Sequence, residues 1–503
     1  NSNHMPENIK AYIVILVFSS IAFHFAKKAT AEILPVNQFK QFKNSWLILT
    51  SFAFLTFNYW IFLFLSFLFV AYRVKKTSHP IGLYMAVIAA VPPISALMPG
   101  FGIMNQLMQV DYLVILSAGL LLVAYFTFKS NDLAFGRVKT DLFVASYLLL
   151  NLILNMGATT VTDILRQAVV LYLTYFVPYF VISRLIKDKQ SLKITFAAFM
   201  IACFPAALIG FFEAIKGWLM YSSLQSALKQ YWSFGGYLSR DGALRATSSF
   251  GHSIAFGYTM TIALGMYLFV QNTIKQKMVR FAALGILMLG MIAPISRGPW
   301  VGAALLVTVY LYLGKNAISN ILKLVMASMV VLAFTIALPF GDKIINLIPF
   351  VGKTDSQNLD YRQRLLDASI IVISKSPLFG NKNYAAEPEM IKMIQGEKII
   401  DLVNIYVSVS LNSGVVGLTL YVSIFFSAGL MTYKAMRRVK TVDYELFQLG
   451  RSLLSILIAI MLMNSATSEV LIVPYLYYAV IAMCVAYTQI VKKQLLVNQL
   501  NPN

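Results

Sequence analysis

Apolar runs of about 17–25 residues recur from one end of the chain to the other, each long enough to cross the hydrocarbon of a bilayer. The pattern predicts spans over 11–25, 46–58, 59–72, 80–97, 111–128, 140–156, 164–183, 194–216, 246–270, 279–295, 298–314, 319–338, 403–433, 448–466 and 470–490. The second and third runs are short and fit a hairpin of half-spans around Asn58. A β-barrel would show short strands alternating outward and inward residues instead. The expected fold is all-α: a polytopic transmembrane helix bundle of about 12–15 spans.

Charge then orients the bundle. The basic clusters Lys27/Lys28/Lys40/Lys43, Arg73/Lys75/Lys76, Lys129/Arg137/Lys139, Arg184/Lys187/Lys189, Lys275/Lys277/Arg280, Lys315/Lys323, Lys434/Arg437/Arg438/Lys440 and Lys492/Lys493 fall after every second span. The positive-inside rule puts them in the cytoplasm and makes 98–110, 157–163, 217–245, 296–297, 339–402 and 467–469 external. Composition agrees: 59% of residues are hydrophobic, 12% are charged, and the mean hydropathy is +0.72. The net charge of +21 lies mostly in short loops between spans. It therefore reads as membrane asymmetry and contact with anionic membrane lipids, with no nucleic acid as partner.

Residues 1–4 read as a tag scar. The first apolar run is followed by Lys27 and Lys28, not by a small-residue cleavage site, so no cleaved signal is expected. The chain divides into a transmembrane bundle over 5–338, a large extracytoplasmic loop over 339–402, and C-terminal helices with a cytoplasmic tail over 403–503. Loop 217–245 reads as interfacial, since Leu224, Leu228, Tyr231 and Trp232 recur at helical spacing. In the large loop a helix is expected over 361–374, with Leu365, Leu366, Ile370 and Val372 on its apolar side and Pro377 and Gly380 beyond its end. Cys203 and Cys484 both sit inside apolar runs and read as packing residues.

A few arginines depart from the cytoplasmic pattern. Arg245, Arg297, Arg362 and Arg364 map to the outer ends of spans or to the large loop. An ionisable group near bilayer depth costs roughly 2.5–3.5 kcal/mol by insertion scales, so arginines kept there need a reason, and an anionic ligand supplies one. Arg245, Ser248, Ser249 and His252 are spaced to share one face of a helix starting at 246. The alternative for Arg245 is snorkelling to headgroups. Ser296-Arg297-Gly-Pro-Trp300 reads as a helix start, with Ser296 as cap and free N–H groups that attract anions. In Asp360-Tyr361-Arg362-Gln-Arg364 the arginines either bind phosphate bidentately or, for Arg364, pair with Asp360 or Asp367. Phosphate-binding glycine loops, HExxH and CxxC pairs are missing, so no metal and no cofactor is expected. Asp111, Asp163, Glu213 and Glu469 lie near span ends, which argues against an ion-driven transporter of anions or lipid-linked sugars.

The order of these elements resembles the O-antigen ligase and polymerase superfamily of bacterial envelope glycosyltransferases. The resemblance runs from about 165 to 432. It rests on Arg245 with its polar followers, on Ser296-Arg297-Gly, and on Tyr361-Arg362-Gln-Arg364 continuing to Ser376-Pro-Leu-Phe-Gly380. It ends with Val403-Asn404-Ile-Tyr406 and Asn412-Ser-Gly414-Val-Val-Gly417. It implies a GT-C-like architecture in the bacterial cytoplasmic (inner) membrane, with the active site on the extracytoplasmic face. It also implies a polyprenyl-diphosphate-linked glycan as donor, with a chain-length regulator and a flippase as partners. Arg245, Arg297, Arg362 and Arg364 would then neutralise the diphosphate as an acceptor hydroxyl attacks the anomeric carbon. Asn404 and Tyr406 would close the site near Asp401, and His252, Tyr361 and Tyr384 would shape it or meet sugar, as would Trp232 and Trp300. Ligases resemble one another in a histidine where this chain has Val403, which cannot move a proton. Asp401 is then the nearest base, with Asp360, Glu387 and Glu389 as alternatives. The departure favours a polymerase over an O-antigen ligase or a protein O-oligosaccharyltransferase.

Overall fold

A computed structural model of the chain describes residues 5–102, 106–157, 160–352, 356–394 and 400–500; residues 1–4, the expected tag scar, lie outside this set. Among the described residues eight helices are long and apolar enough to cross a membrane: Glu7–Ala29, Val161–Leu185, Lys189–Lys216, Ser253–Thr273, Ala317–Ala337, Ile405–Val439, Tyr444–Ala466 and Val473–Leu500. The shorter Tyr59–Val74 and Tyr112–Thr127 join them, with Val36–Leu55, Lys139–Asn155, Lys277–Ile292 and Arg297–Tyr312 packed alongside. The protein is an all-α polytopic membrane bundle. Strand is confined, among the described residues, to two small hairpins, Ala96–Pro99 with Gln106–Val110 and Ser239–Arg240 with Ala243–Leu244.

Helices in lipid are held together by close packing and hydrogen bonds, because tails are as apolar as leucine. The centre of the bundle shows this. A Cβ on Gly265 would stand 2.2 Å from Ile456, and one on Gly290 2.6 Å from the Met260 sulfur and 2.7 Å from Ala207. Lys189–Lys216 and Ser253–Thr273 have 89% of their apolar windows buried, whereas Ala317–Ala337 has none. That last helix touches mainly its neighbours Arg297–Tyr312 and Gly341–Leu347, and turns the rest of its apolar surface outward.

Contacts separate the two ends. At one, Lys189 bridges Asp443 at 2.9 Å, Lys193 bridges Glu445 at 3.1 Å, and Lys315 and Lys440 sit over the rings of Tyr444 and Phe447. This basic end also holds a dry ion pair, Arg184 with Asp141 at 2.6 Å. Tyr179 and the Gly136 N–H also donate to that carboxylate, and Arg184 Nε donates to the Leu133 carbonyl, so every desolvated group finds a partner. The other end carries the 339–402 loop and is called the loop end below.

Three expected elements differ. The runs 46–58 and 59–72 are not half-spans but Val36–Leu55 and Tyr59–Val74, joined at Asn58, whose Oδ1 accepts the N–H groups of Trp60 and Ile61. The first of these starts earlier because Lys40 and Lys43 lie in its opening turns, which hydropathy alone counts as loop.

The run 80–97 is helical only over Pro80–Val87 and then crosses the core without regular structure over 88–95 before entering the strand Ala96–Pro99. Irregular backbone at membrane depth survives only where protein satisfies its polar groups. Here hydroxyls do so: Tyr112 to the Val87 carbonyl at 2.6 Å, Ser249 to Ala89 at 2.5 Å, Thr50 to Ala90 at 3.2 Å, and Tyr59 to Ile94 at 2.6 Å. The third difference, over 246–270, bears on the site.

Candidate functional site: an arginine-rich face at the loop end

The turn between Lys277–Ile292 and Arg297–Tyr312 is the hub. Arg245 Nε donates to the Pro294 carbonyl at 3.2 Å, and Arg240 donates to the Ile295 carbonyl at 3.0 Å. Arg240 arrives on the Ser239–Leu244 hairpin, whose Asp241-Gly242 turn has φ of 50° and 79°. That Asp-Gly pair is the sequence signal for this hairpin, and the helical-spacing reading of 217–245 missed it. Helix there is confined to a 3-10 turn, Met220–Ser222, and the short α-helix Ser223–Ala227. Leu224 and Leu228 are buried and Tyr231 is exposed, because Lys229 at φ 55° turns the chain out of the helix. Trp232 is buried beneath Gly251, where a Cβ would stand 2.2 Å from its ring.

The predicted stripe Arg245, Ser248, Ser249, His252 does not lie on a helix. The membrane helix begins at Ser253, and 248–250 form a single tight turn ended by Gly251 at φ 77°. Both serines face inward: Ser248 donates to the Ala206 carbonyl at 2.8 Å and Ser249 to the broken 80–97 run. The buried Glu213 carboxylate accepts the N–H groups of Ser248 and Met220 and holds this turn against the bundle. The serines thus serve backbone that hydropathy could not show to be broken. His252 caps its helix, its Nδ1 accepting the Ile254 N–H at 3.2 Å, which leaves the proton on Nε2. Burial, then the positive field of Arg245, push its imidazole down to about 4 against the opposing pull of Asp401, so it is neutral at pH 7.

Arg297 opens its helix as expected, but the Ser296 side chain makes no cap hydrogen bond. The guanidinium donates to the carbonyls of Leu347 at 3.2 Å and Asn346 at 2.8 Å, at the C-terminus of Gly341–Leu347. A cation at a helix C-terminus is favoured by the dipole, so Arg297 ties the large loop to the bundle. Trp300 donates to the Met291 carbonyl at 2.6 Å and braces the same turn.

The expected 361–374 helix spans Ser356–Lys375. Its buried side is Leu365, Ala368 and Val372, packed with Met390, Met393, Leu402 and Leu411, whereas Leu366 and Ile370 are exposed. Tyr361 donates to the Met393 carbonyl at 2.9 Å. Arg364 Nε meets the backbone carbonyl of Asp360 at 3.3 Å, and neither Arg362 nor Arg364 has an ion-pair partner among the described residues. Glu387 and Glu389 are engaged by Lys375 at 2.7 and 2.9 Å.

Beyond this arginine helix the chain is pinned into Ile405–Val439. That long helix breaks at Gly414, with φ 65° and ψ −163°. Into the break fits 377–381: Val415 N–H donates to the Pro377 carbonyl at 2.8 Å, Val416 N–H to Leu378 at 3.2 Å, and Asn381 N–H to Leu411 at 2.7 Å. A Cβ on Gly414 would stand 2.4 Å from the Leu378 carbonyl, and one on Gly380, at φ 70°, 2.5 Å from that of Leu411. Ser376-Pro-Leu-Phe-Gly380 and Asn412-Ser-Gly414 are therefore the two halves of one joint.

Asp401 lies just before the kinked helix, exposed, and accepts a hydrogen bond from Ser468 at 2.9 Å. Its charge acts on His252 and on Tyr361, whose phenol also feels Arg364. Burial raises the Tyr361 pKa, Asp401 adds to that rise, and Arg364 opposes it. Asp401 thus links the two arginine-bearing segments. The other predicted residues take structural posts. Asn404 caps the kinked helix through the Val407 N–H, and Tyr406 donates to the Met461 carbonyl at 2.5 Å. Tyr384 sits with the loop's small core, near Asn412. Arg362 is exposed, and its helix position lies about 160° from Arg364.

Residues 281–422 match the family model for O-antigen ligase. The match, over less than a third of the chain, supports the O-antigen ligase/polymerase superfamily. No curated protein matches the chain. Members of this superfamily are glycosyltransferase-like enzymes acting on lipid-linked glycans. The matched stretch holds Arg297, the arginine helix, Asp401 and the Gly380–Gly414 joint, whereas Arg245 and His252 come from outside it.

One charged group, read from the sequence only as a carboxylate near a span end, lines a cleft of its own. Glu469, one residue past Ser468, lines a cleft with Tyr147, Asn151, Tyr175, Ser408 and Asn412, and Tyr477 donates to its carboxylate. Its walls come from four distant stretches of chain, so no local spacing announces it.

Proposed function

We propose that the protein is an integral-membrane glycan polymerase that joins polyprenyl-diphosphate-linked repeat units into a surface polysaccharide. It would act at the outer face of a bacterial cytoplasmic membrane. The observation that carries this reading is the grouping of His252, Tyr361, Arg245 and Arg364 around Asp401 at one end of a superfamily bundle. Arg245 and Arg364 bind the donor diphosphate; its leaving oxygen gains charge in the transition state, where prearranged cations lower the barrier. Neutral His252 adds an Nε2–H donor. Arg297 holds the loop that carries Arg364, and Arg362 serves the loop surface. Val403 offers no proton acceptor where ligases carry histidine, which favours polymerisation.

The test is incubation of the purified protein with a lipid-diphosphate repeat unit, followed by gel electrophoresis. A ladder of lengthening lipid-linked glycan is expected. The family model's ligase description favours a second reading, one transfer to a separate acceptor, and a single shifted band with no ladder would establish it instead. Full activity in both Arg245→Ala and Arg364→Ala would remove the diphosphate assignment.

A further inference from the structure

Ser468 hydrogen-bonds Asp401 at the centre of the arginine face, and the next residue, Glu469, opens into a cleft that Arg245, Arg297 and Arg364 do not line. There a cavity of about 90 Å³ is lined by Glu469, the rings of Tyr147 and Tyr175 and the amides of Asn151 and Asn412. A neighbouring cavity of about 310 Å³ shares Asn151, Leu171 and Tyr175 with it and adds Gln167, Arg166 and Lys382. Lys382 donates to Asn151 at 3.0 Å and holds the large loop over the opening.

Two polar atoms in the wall of the neighbouring cavity, Gln167 Oε1 and Arg166 Nε, are buried with no hydrogen-bond partner. Buried polar atoms in native proteins are ordinarily satisfied, so such orphans at a cavity wall point to an occupant. Ring faces, amides and one carboxylate suit sugar hydroxyls, each of which both donates and accepts. In the cavity at Glu469 a phosphate would meet that carboxylate and no cation, since Arg166 and Lys382 line the neighbouring one.

We infer that this cleft binds the acceptor sugar and that Glu469 takes the proton from its attacking hydroxyl. The inference rests on the polymerase reading. In the step, the hydroxyl oxygen bonds to the donor's anomeric carbon. The bond from that carbon to the diphosphate oxygen breaks, its electron pair leaving with the diphosphate, and the hydroxyl proton ends on Glu469. Ser468, the residue before Glu469, hydrogen-bonds Asp401 and so connects the cleft to the arginine face. Burial pushes the Glu469 carboxyl up to about 7, against the pull of the Tyr477 hydrogen bond, which gives a base of useful strength at neutral pH.

The experiment uses the full chain in nanodiscs, with the lipid-diphosphate repeat unit as donor and the same oligosaccharide, freed of lipid by mild acid, as acceptor probe. Binding of undecaprenyl diphosphate is read separately as a shift in Tm. Glu469→Gln is expected to lower kcat by about 100-fold or more while keeping the Tm shift. Gln167→Ala is expected to raise the KM for the acceptor several-fold at unchanged kcat. Elongation by Glu469→Gln within about threefold of wild type overturns the inference and leaves the polymerase reading intact. An unchanged acceptor KM in Gln167→Ala overturns it too, and decides the matter if Glu469→Gln does not fold. Wild-type protein with neither elongation nor a Tm shift overturns both readings.

Discussion

The arginine face and the Glu469 cleft lie on either side of one short segment, 467–469, and are built in opposite ways. Arg240, Arg245 and Arg297 each donate to backbone carbonyls at turns or helix ends. Glu469 instead sits in a nest of tyrosines and amides drawn from several helices. The cationic side is therefore set by local chain geometry, and the anionic side by tertiary packing. A donor that brings its own charge needs the first kind of site, and a neutral acceptor that must lose a proton needs the second.

The largest effect is expected where both sides share a support. The Gly380–Gly414 joint fixes the arginine helix on one side and Asn412 and Lys382, through Asn381, on the other. The backbone of Gly414 lies in a region essentially closed to other residues, and a methyl there would run into the Leu378 carbonyl. Strain of this kind costs on the order of 1–3 kcal/mol before the clash is added. Gly414→Ala is expected to lower the Tm of the purified protein by several degrees or more and to abolish elongation. Wild-type Tm would show that the joint supports neither side.

This joint also shows what could be read from the chain. Both glycine motifs were visible as sequence, as were Arg297 at a helix start and the helix over 361–374, because each is a local pattern. Their pairing was not visible, since no spacing rule links 378 to 414. The serines of 248–249 misled for a related reason: a polar stripe at helical spacing means a helix face only if the segment is helical. Here Gly251 and the buried Glu213 made it a turn. The 80–97 run misled because a buried broken helix and a span are equally apolar. Glu469 was read only as a carboxylate near a span end; its tyrosine nest is a property of the fold.

Next in size is loss of one cation. Arg364→Ala should reduce kcat by about 100-fold, the usual loss when one prearranged donor to developing charge is removed. Its acceptor KM should stay at the wild-type value, because the arginine does not line the Glu469 cleft. A kcat unchanged in steady-state elongation assays, or a KM that moves with it, would blur the division into two sides.

A smaller effect separates the sides by pH. A base works only when deprotonated, so with Glu469 near 7 elongation should fall roughly tenfold per pH unit below that value and level off above it. His252, near 4, is already neutral throughout this window. Tyr147, Tyr175, Tyr258, Tyr421, Tyr477 and Tyr478 face the carboxylate, and phenols ionise near 10 in water. Lys382 lines the neighbouring cavity, and burial lowers its ammonium to about 8, so acceptor KM should change above that pH. A pH–rate profile flat between about 5.5 and 7.5 in wild type would remove Glu469 from the proton's path.

The smallest expected effect is the most discriminating. Arg362 and Arg364 are two residues apart on one helix, carry the same charge, and are both exposed. Any account based on net charge at the loop end makes them equivalent. Geometry does not: at 100° per residue their side chains leave the helix about 160° apart, and it is Arg364 that acts on Tyr361 beside Asp401. Exposed cations also contribute little to stability, typically within about 0.5 kcal/mol, so neither substitution should unfold the protein. Arg362→Ala should therefore elongate glycan within about twofold of wild type, while Arg364→Ala falls far below it. Equal losses in the two variants, measured side by side in the same gel assay, would mean that the loop's total charge recruits the donor and that Asp401 organises nothing.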